Sequence, residues 1–184
     1  QLGIKAYKDS NWEAAEKYFR TAAERVTARY TRPRDCEALY YLGITLRHLG
    51  RYEEAYDWLY RASWDADWHT AAYYQLAQIS SKLGNDVRAL EEVTMAINYN
   101  GMNVDAKNLK TTLLRKAGKK AEAIALAKEV VKFDPLNYYA TNELVLLGSK
   151  PASELSKLLR GVAESYLELA LYYYNNGFVK DAKN

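Results

Sequence analysis

The sequence is poor in cysteine, histidine and proline. Its 184 residues include one cysteine, two histidines and three prolines. The single cysteine, Cys36, excludes an internal disulfide framework and is compatible with a reducing compartment, so we favour a cytoplasmic location. Few prolines and only nine glycines favour a mostly helical chain, because both residues interrupt helices.

Long apolar runs and a strong charge imbalance are also missing. No run approaches the roughly 18 apolar residues that a membrane-spanning helix requires, so we expect no membrane segment. The net charge of +3 is close to balance and gives no electrostatic reason to expect a nucleic-acid partner. The chain does not begin with Met and starts inside a helical pattern, so we expect it to be a piece of a longer protein.

The chain does contain a repeat of 34 residues. The stretch GRYEEAYDWLYRA, from Gly50 to Ala62, is a turn glycine followed by an amphipathic helical pattern. The same residue types return at a fixed spacing in Gly50, Gly84 and Gly118, and in Ala55, Ala89 and Ala123. This period indicates an array of paired helices in which no repeat can bury its apolar face alone. The small residues allow the paired helices to approach closely, as Gly43 and Ala55 would.

In this register the chain resembles the tetratricopeptide (TPR) repeat, W-x2-L-G-x2-Y…A-x3-F…P. In residues 36–69 the resemblance rests on Leu39, Leu42, Gly43, Leu46, Ala55, Leu59 and Ala62. It implies an all-α fold, a right-handed α-solenoid of antiparallel helix pairs with about five repeats and partial repeats at both ends.

We therefore treat residues 1–184 as a single solenoid. The predicted repeats are a truncated first one (1–35), regular ones at 36–69, 70–103 and 104–137, a degenerate one (138–162) and a truncated last one (163–184). The first repeat holds six extra residues, which we place within Arg25–Asp35 as an extended second helix that stops before Pro33.

Two local predictions follow from this division. The third regular repeat carries Lys107, Lys110 and Thr111 where large apolar and small residues are usual, so its first helix should pack through Ala106, Leu109, Leu113 and Leu114. The cut ends should expose apolar faces that contact other copies, near Leu2, Ile4 and Tyr7 and near Leu169 and Tyr173.

Residues able to support catalysis are few. Cys36 and His48 lie at opposite ends of one predicted helix, too far apart for a nucleophile and its base. Asp65, Asp67 and His69 match no established metal-ligand spacing and are better explained by helix capping. The isolated glycines form no phosphate-binding loop. We predict a protein that is not an enzyme and has no cofactor and no metal.

The TPR resemblance also implies a concave wall lined by the first helix of each repeat. Its candidate peptide- or partner-binding residues are Tyr40, Arg47, His48, Tyr74, Gln78, Lys82, Asn108, Arg115, Tyr139 and Asn142. They suit an extended peptide, with acidic groups favoured near Arg47, Lys82 and Arg115. Any solenoid must place polar residues on this wall, so a plain solvated surface is the alternative.

One known type of TPR groove does not fit. The clamp that holds the C-terminal carboxylate of chaperones needs two cations on one repeat, where this chain has Asp105 and Leu109. A second candidate surface is the pair Trp64 and Trp68, because clustered exposed tryptophans are typical of docking surfaces. Packing between repeats is the alternative explanation for this pair.

The favoured function is a non-catalytic protein-interaction scaffold that binds a peptide or partner domain through its concave face. The stretches YYLGITLRHLGRYEEAYDWLYRASW and KFDPLNYYATNELVLLG are also similar to the TPR region of larger bacterial proteins. Those proteins carry an N-terminal β-rich, carbohydrate-associated domain of unknown function. The alternative is therefore an accessory module docked in cis on such a domain, with Trp64 and Trp68 as its docking face.

Overall fold

Helices account for all the regular structure in the described part of the chain. A computed structural model of the protein describes residues 1–28 and 33–183, and every regular element in those ranges is an α-helix. The chain forms two compact units, Gln1–Ile79 and Ser80–Asn184. The first contains α1 (Leu2–Lys8), α2 (Trp12–Thr27), α3 (Glu37–His48), α4 (Tyr52–Ala62) and most of α5 (His69–Lys82). The second contains the end of α5, α6 (Asp86–Tyr99), α7 (Val104–Lys116), α8 (Lys120–Phe133), α9 (Tyr138–Leu146), α10 (Ala152–Leu159), α11 (Ala163–Asn175) and α12 (Val179–Ala182).

Short turns join the helices of each pair. Three residues separate α1 from α2, α3 from α4, α5 from α6, α7 from α8 and α11 from α12. The central residue of each turn has a positive φ, between 54° and 84°: Ser10, Gly50, Gly84, Gly118 and Gly177. The next N–H then bonds a carbonyl five positions back, as Arg51 does with Leu46 at 2.9 Å, which closes the helix end. The turns predicted at the three periodic glycines are confirmed, and within each unit such short turns make paired helices antiparallel.

Asparagine side chains fix the starts of the helices that carry the second half of the predicted groove. Asn103 and Asn137, one period apart, precede α7 and α9. Their amide oxygens accept hydrogen bonds from the N–H groups of Ala106 at 3.0 Å and Ala140 at 2.9 Å. These bonds satisfy donors that have no partner within the helix.

The core of the first unit is built around α3, which contacts both α2 and α4. Leu39, Leu42 and Leu46 of α3 are fully buried. A Cβ atom added to Gly43 would lie 2.5 Å from Cγ of Leu59 and 3.2 Å from the carbonyl oxygen of Ala55. The close approach predicted between Gly43 and Ala55 is therefore confirmed.

Helix α7 packs as its unusual sequence predicts. Ala106, Leu109, Leu113 and Leu114 are all buried. Thr111, which replaces a small apolar residue, is buried as well, and its hydroxyl donates to the carbonyl of Lys107 at 2.8 Å. The threonine is tolerated because its own helix accepts this hydrogen bond.

The long second helix predicted for the first repeat is described only in part. Helix α2 has 16 residues and ends at Thr27, with Ala28 as its C-cap. The remainder of the predicted extension falls on residues 29–32, which, like residue 184, lie outside the described ranges. Helix α10 lies within the degenerate repeat predicted at 138–162. The division into repeats stays a prediction.

The apolar face predicted near the end of the chain was placed on the wrong side of α11. Leu169 and Tyr173 are buried within the second unit. The exposed large side chains of α11 are Tyr166, Leu167, Leu171 and Tyr174. At the other end Leu2 is exposed, whereas Ile4 and Tyr7 pack against the core of the first unit. Self-association stays a prediction. In the described ranges no helix has both the length and the hydropathy to cross a membrane.

We expect Gly43→Ala to lower the free energy of unfolding by about 1–3 kcal/mol, because the new methyl group forces the fully buried Leu59 to move. Urea denaturation measures the change. Gly101→Ala is the control, since its Cβ would have no atom nearer than 3.9 Å, and we expect a change within about 0.5 kcal/mol. Equal losses in the two variants would contradict the close approach of α3 and α4.

Candidate functional site

The residues predicted to line a binding groove lie on α3, α5, α7 and α9. Because α5 crosses the boundary between the two units, they form two groups. The first-unit wall consists of Tyr40, Arg47 and His48 on α3 with Tyr74 and Gln78 on α5. The second-unit wall consists of Lys82 at the end of α5, Asn108 and Arg115 on α7, and Tyr139 and Asn142 on α9.

A chain of hydrogen bonds crosses the first-unit wall. The Nη1 group of Arg47 donates to Oε1 of Gln78. The Nε2 group of Gln78 in turn donates to the hydroxyl of Tyr74 at 3.2 Å. The amide thus holds the guanidinium of α3 against α5, and the structure brings these three predicted residues together.

Arg47 is a half-buried cation in a neutral environment. Burial lowers its pKa, against the opposite influence of Tyr74, Tyr7 and Tyr40 around it. Among the described residues no carboxylate lies within 4.0 Å of its guanidinium, whereas the arginines of surface pairs such as Arg20 each contact an acid. The positive charge of Arg47 is therefore held in place without a counter-charge from these residues.

Aromatic rings surround this cation. The ring of Tyr40 stacks on Trp68, with centroids 4.6 Å apart. His48 stacks on Trp12 at 4.2 Å, with an interplanar angle of 2°. Burial, with a smaller contribution from Tyr7, raises the pKa of Tyr40 to about 12. Burial and the charge of Arg47 lower the pKa of His48. At neutral pH the wall therefore presents neutral rings around one positive charge.

The two tryptophans predicted as a docking surface have different surroundings. Trp68 is half-buried and packs on the core of the first unit as well as on Tyr40. Trp64 is exposed, with its ring edge-on to the exposed ring of Tyr60 at 6.0 Å. Packing explains Trp68, whereas the exposed pair of Tyr60 and Trp64 is a separate surface at the end of α4.

The second-unit wall contacts the end of the chain. The ammonium of Lys82 donates to the carbonyl of Tyr174 at 2.9 Å and lies 4.5 Å from the centre of its ring. Next to it, the hydroxyl of Ser81 donates to the carbonyl of Asn176 at 2.6 Å. The turn can come this close because Gly177 has no side chain, since a Cβ atom there would lie 2.8 Å from Cα of Lys82.

A buried carboxylate anchors the centre of the same wall. Glu143 of α9 is only 1% exposed, so its charge depends entirely on its neighbours. Its Oε2 atom accepts from Nε of Arg115 at 2.6 Å, and its Oε1 atom accepts from the hydroxyls of Thr112 and Tyr173, both at 2.8 Å. Arg115 also donates to Asp181 of α12 at 2.9 Å. Burial opposes the charged form of Arg115, but these two acids raise its pKa above the ordinary value.

The two wall residues of α9 contact α11. The hydroxyl of Tyr139 donates to the carbonyl of Glu168 at 3.3 Å, and its ring lies 4.2 Å from that of Tyr172. The side-chain amide of Asn142 donates to the hydroxyl of Tyr173 at 2.9 Å. Four of the five residues of the second-unit wall are therefore in contact with α11, α12 or the turn between them.

The fifth residue, Asn108, is buried, and neither its Nδ2 nor its Oδ1 atom has a hydrogen-bond partner in the described ranges. Glu143 and Asp181, on which this wall depends, are not among the residues predicted from the sequence. The signal for Glu143 was present, because it directly precedes the apolar stretch LVLLG and no other acid lies between Asp134 and Glu154. A buried acid of this kind requires a partner.

The other sequence candidates form no reactive centre in the described ranges. Cys36 is fully buried before α3, and His48 is the last residue of that helix, as expected. No group of three potential metal ligands occurs in these ranges. Asp65 acts as a hydrogen-bond acceptor instead, for the N–H groups of Cys36 at 3.0 Å and Asp67 at 3.2 Å.

Comparison with known proteins finds a match to the TPR family over part of the chain. A family model described as tetratricopeptide repeat matches residues 1–71. No curated protein sequence matches the chain. The family resemblance is thus supported by sequence over α1 to α4 and the start of α5.

Solved structures show the fold over the rest of the chain. MamA from Desulfovibrio magneticus is 16% identical with a TM-score of 0.64, over 99% of this chain and 85% of that one. YrrB, described as a TPR protein with an unusual peptide-binding site, is 18% identical with a TM-score of 0.67, over 94% of this chain and 88% of that one. A thermophilic TPR protein of Thermus thermophilus is 20% identical with a TM-score of 0.65, over 95% of both chains. The predicted fold class, an all-α array of helix pairs, is confirmed.

We expect Arg115→Met to lower the free energy of unfolding by about 3–5 kcal/mol, because it leaves the buried charge of Glu143 without its cation. Chemical denaturation at neutral pH measures the loss. Lys119→Met is the matched control, since the Lys119–Glu122 pair is exposed, and we expect a change within about 0.5 kcal/mol. An Arg115 variant as stable as the control would contradict the role given to this ion pair.

Proposed function

We propose that this chain is a non-catalytic scaffold that binds a peptide or a partner domain through the predicted groove, chiefly at the first-unit wall. The observation that carries the proposal is the setting of Arg47, a half-buried cation with a neutral partner, Gln78, surrounded by aromatic rings. Aromatic and arginine side chains in partly desolvated positions are the residues that contribute most to protein interfaces.

The contacts of the second-unit wall are the reason for preferring the first-unit wall as the binding site. Lys82, Arg115, Tyr139 and Asn142 are in contact with the last two helices of the chain or the turn between them. A peptide would have to displace those contacts, including the hydrogen bonds of a buried ion pair. The first-unit wall requires no such displacement of a charged partner.

The comparisons support the broader part of the proposal. TPR-fold neighbours point to a protein-interaction scaffold, and YrrB is described as having a peptide-binding site. The family model covers residues 1–71, which include the three wall residues on α3. Placing a peptide on Tyr40, Arg47, His48, Tyr74 and Gln78 is our inference from the side chains of this protein.

A second function is favoured by the exposed pair of Tyr60 and Trp64. Such a pair is typical of a docking surface. We propose it as the face of an accessory module that docks in cis on another domain of a larger polypeptide, for which the resemblance suggests a carbohydrate-associated, β-rich domain. Peptide binding at the first-unit wall and docking at the end of α4 are compatible with each other.

To test the groove, random dodecapeptides displayed on phage are selected for binding to the unchanged chain. We expect the selected peptides to bind the double variant Tyr40→Ala/Tyr74→Ala at least about tenfold more weakly, because both rings belong to the first-unit wall. Titration calorimetry with the synthetic peptides measures the loss. The control is Tyr18→Ala/Tyr99→Ala, which removes two exposed rings elsewhere and should change affinity less than about twofold. Thermal unfolding checks that both variants are folded. Failure to select any peptide, or binding that survives the first double change, would overturn the groove.

For docking in cis, we expect the chain to bind the remainder of its parent polypeptide when the two are expressed separately. Trp64→Ser should weaken that binding by at least about tenfold, because it removes a central aromatic contact. The control is Tyr99→Ser, which removes an exposed ring elsewhere. Trp58→Ser would be unsuitable, because Trp58 packs on the core of the first unit. Binding unaffected by Trp64→Ser, or no binding at all, would remove this function.

A further inference from the structure

We propose that Arg47 is the anchoring point for a carboxylate of an acidic peptide. This inference rests on the proposed function, since it names the chemistry of the partner that the first-unit wall would bind. The sequence alone favours acidic groups near three cations, Arg47, Lys82 and Arg115. The geometry now separates the three.

Arg115 is already neutralised, by Glu143 at 2.6 Å and Asp181 at 2.9 Å. Lys82 donates to a carbonyl oxygen and packs over the ring of Tyr174. No carboxylate lies within 4.0 Å of the Arg47 guanidinium in the described ranges, and its hydrogen bond goes to the neutral Gln78 oxygen. We choose Arg47 as the anchor because Arg115 already has its counter-charges and Lys82 is held by the end of the chain.

The repeat itself explains the missing counter-charge. Arg47 and Arg115 occupy equivalent positions, two periods of 34 residues apart. Glu143 is the partner of Arg115, and the residue two periods before Glu143 in the sequence is Gln75. The position that supplies a carboxylate in the second unit thus holds a neutral amide in the first, and the buried Oε1 atom of Gln75 has no hydrogen-bond partner there.

A guanidinium in this situation is well suited to a carboxylate. It has five N–H donors in a planar fork, and one hydrogen bond to Gln78 leaves donors for two parallel bonds to a ligand. Burial of a cation without a counter-charge is unfavourable for the free protein. The free energy gained when a carboxylate binds is therefore larger here than at an exposed arginine. Gln78 is a positioning residue, because it holds the fork through its link to Tyr74.

The surroundings favour a peptide as the source of the carboxylate. Tyr40, which interacts electrostatically with Arg47, stacks on Trp68, and the two rings offer an apolar surface to a neighbouring side chain. The groups with the largest electrostatic influence on Arg47 are tyrosines and not further cations, whereas a phosphate group favours a cluster of cations.

The test uses pools of acetylated, amidated nonapeptides with random flanks and a fixed central residue. The pools carry Glu, Gln or phosphoserine at the centre, and a fourth carries Gln with a free C-terminal carboxylate. Each pool is passed over the immobilised chain and the retained fraction is measured by mass spectrometry. We expect the Glu pool or the free-carboxylate pool to be retained at least about tenfold over the neutral Gln pool, and the comparison of the two locates the carboxylate.

Three variants locate the effect. Arg47→Gln should abolish the preference for the carboxylate, while Arg61→Gln, which changes the net charge equally on α4, should keep it. Gln75→Glu should also abolish it, because the chain then carries its own carboxylate at the position equivalent to Glu143. This last variant should raise the midpoint of thermal unfolding, which a purely structural role for Gln75 would not predict.

The outcomes separate this inference from the proposed function. Equal retention of the Glu and Gln pools, both lost in Tyr40→Ala/Tyr74→Ala, would overturn the carboxylate site and leave the peptide groove standing. Stronger retention of the phosphoserine pool than of either carboxylate pool would overturn the choice of carboxylate. No retention of any pool would overturn both proposals.

Discussion

The close approach of paired helices is the constraint on which the rest of this structure depends. At Gly43 there is no room for a side chain, because Leu59 and the backbone of Ala55 occupy the space that a Cβ would take. A three-residue turn with a left-handed central residue returns the chain at this short distance, and Ser10 adopts the same conformation as the glycines elsewhere. Helices paired so tightly expose one wall of each first helix, so the residues of that wall are set by the repeat. What the wall can bind then depends on which side chains occupy it.

Equivalent positions on that wall have acquired opposite electrostatic roles. Arg115 is part of a buried network with Glu143, Thr112 and Tyr173, and α12 adds Asp181 to it. Arg47, two periods earlier, has an amide and aromatic rings around it. Burying a charge is tolerable when a partner is also buried, and otherwise leaves the charge available to a ligand. The second unit therefore uses its arginine for stability, and we propose that the first uses its own for recognition.

Much of the local structure could be predicted, because it depends on neighbours along the chain. The turns at the periodic glycines and the packing of α7 through Leu109 and Leu113 followed from spacing and residue type. The prediction was wrong near the end of the chain, where the period no longer held. Tyr173 is buried there although an exposed face was expected. It lies in a repeat whose partners differ from those of the regular ones.

The sequence by itself determined the helix pairs and their turns, because a fixed period maps each residue to a face without knowledge of distant contacts. The residues of the wall were predicted from the TPR resemblance. Only the tertiary structure decided which of those side chains are already engaged. Lys82 and Tyr174 are 92 positions apart in the chain, and Arg115 and Asp181 are 66 apart. Such contacts depend on how helices far apart in sequence come together, and no local pattern encodes them. For this reason the sequence could only name three candidate cations, and the contacts in the structure were needed to choose Arg47 among them.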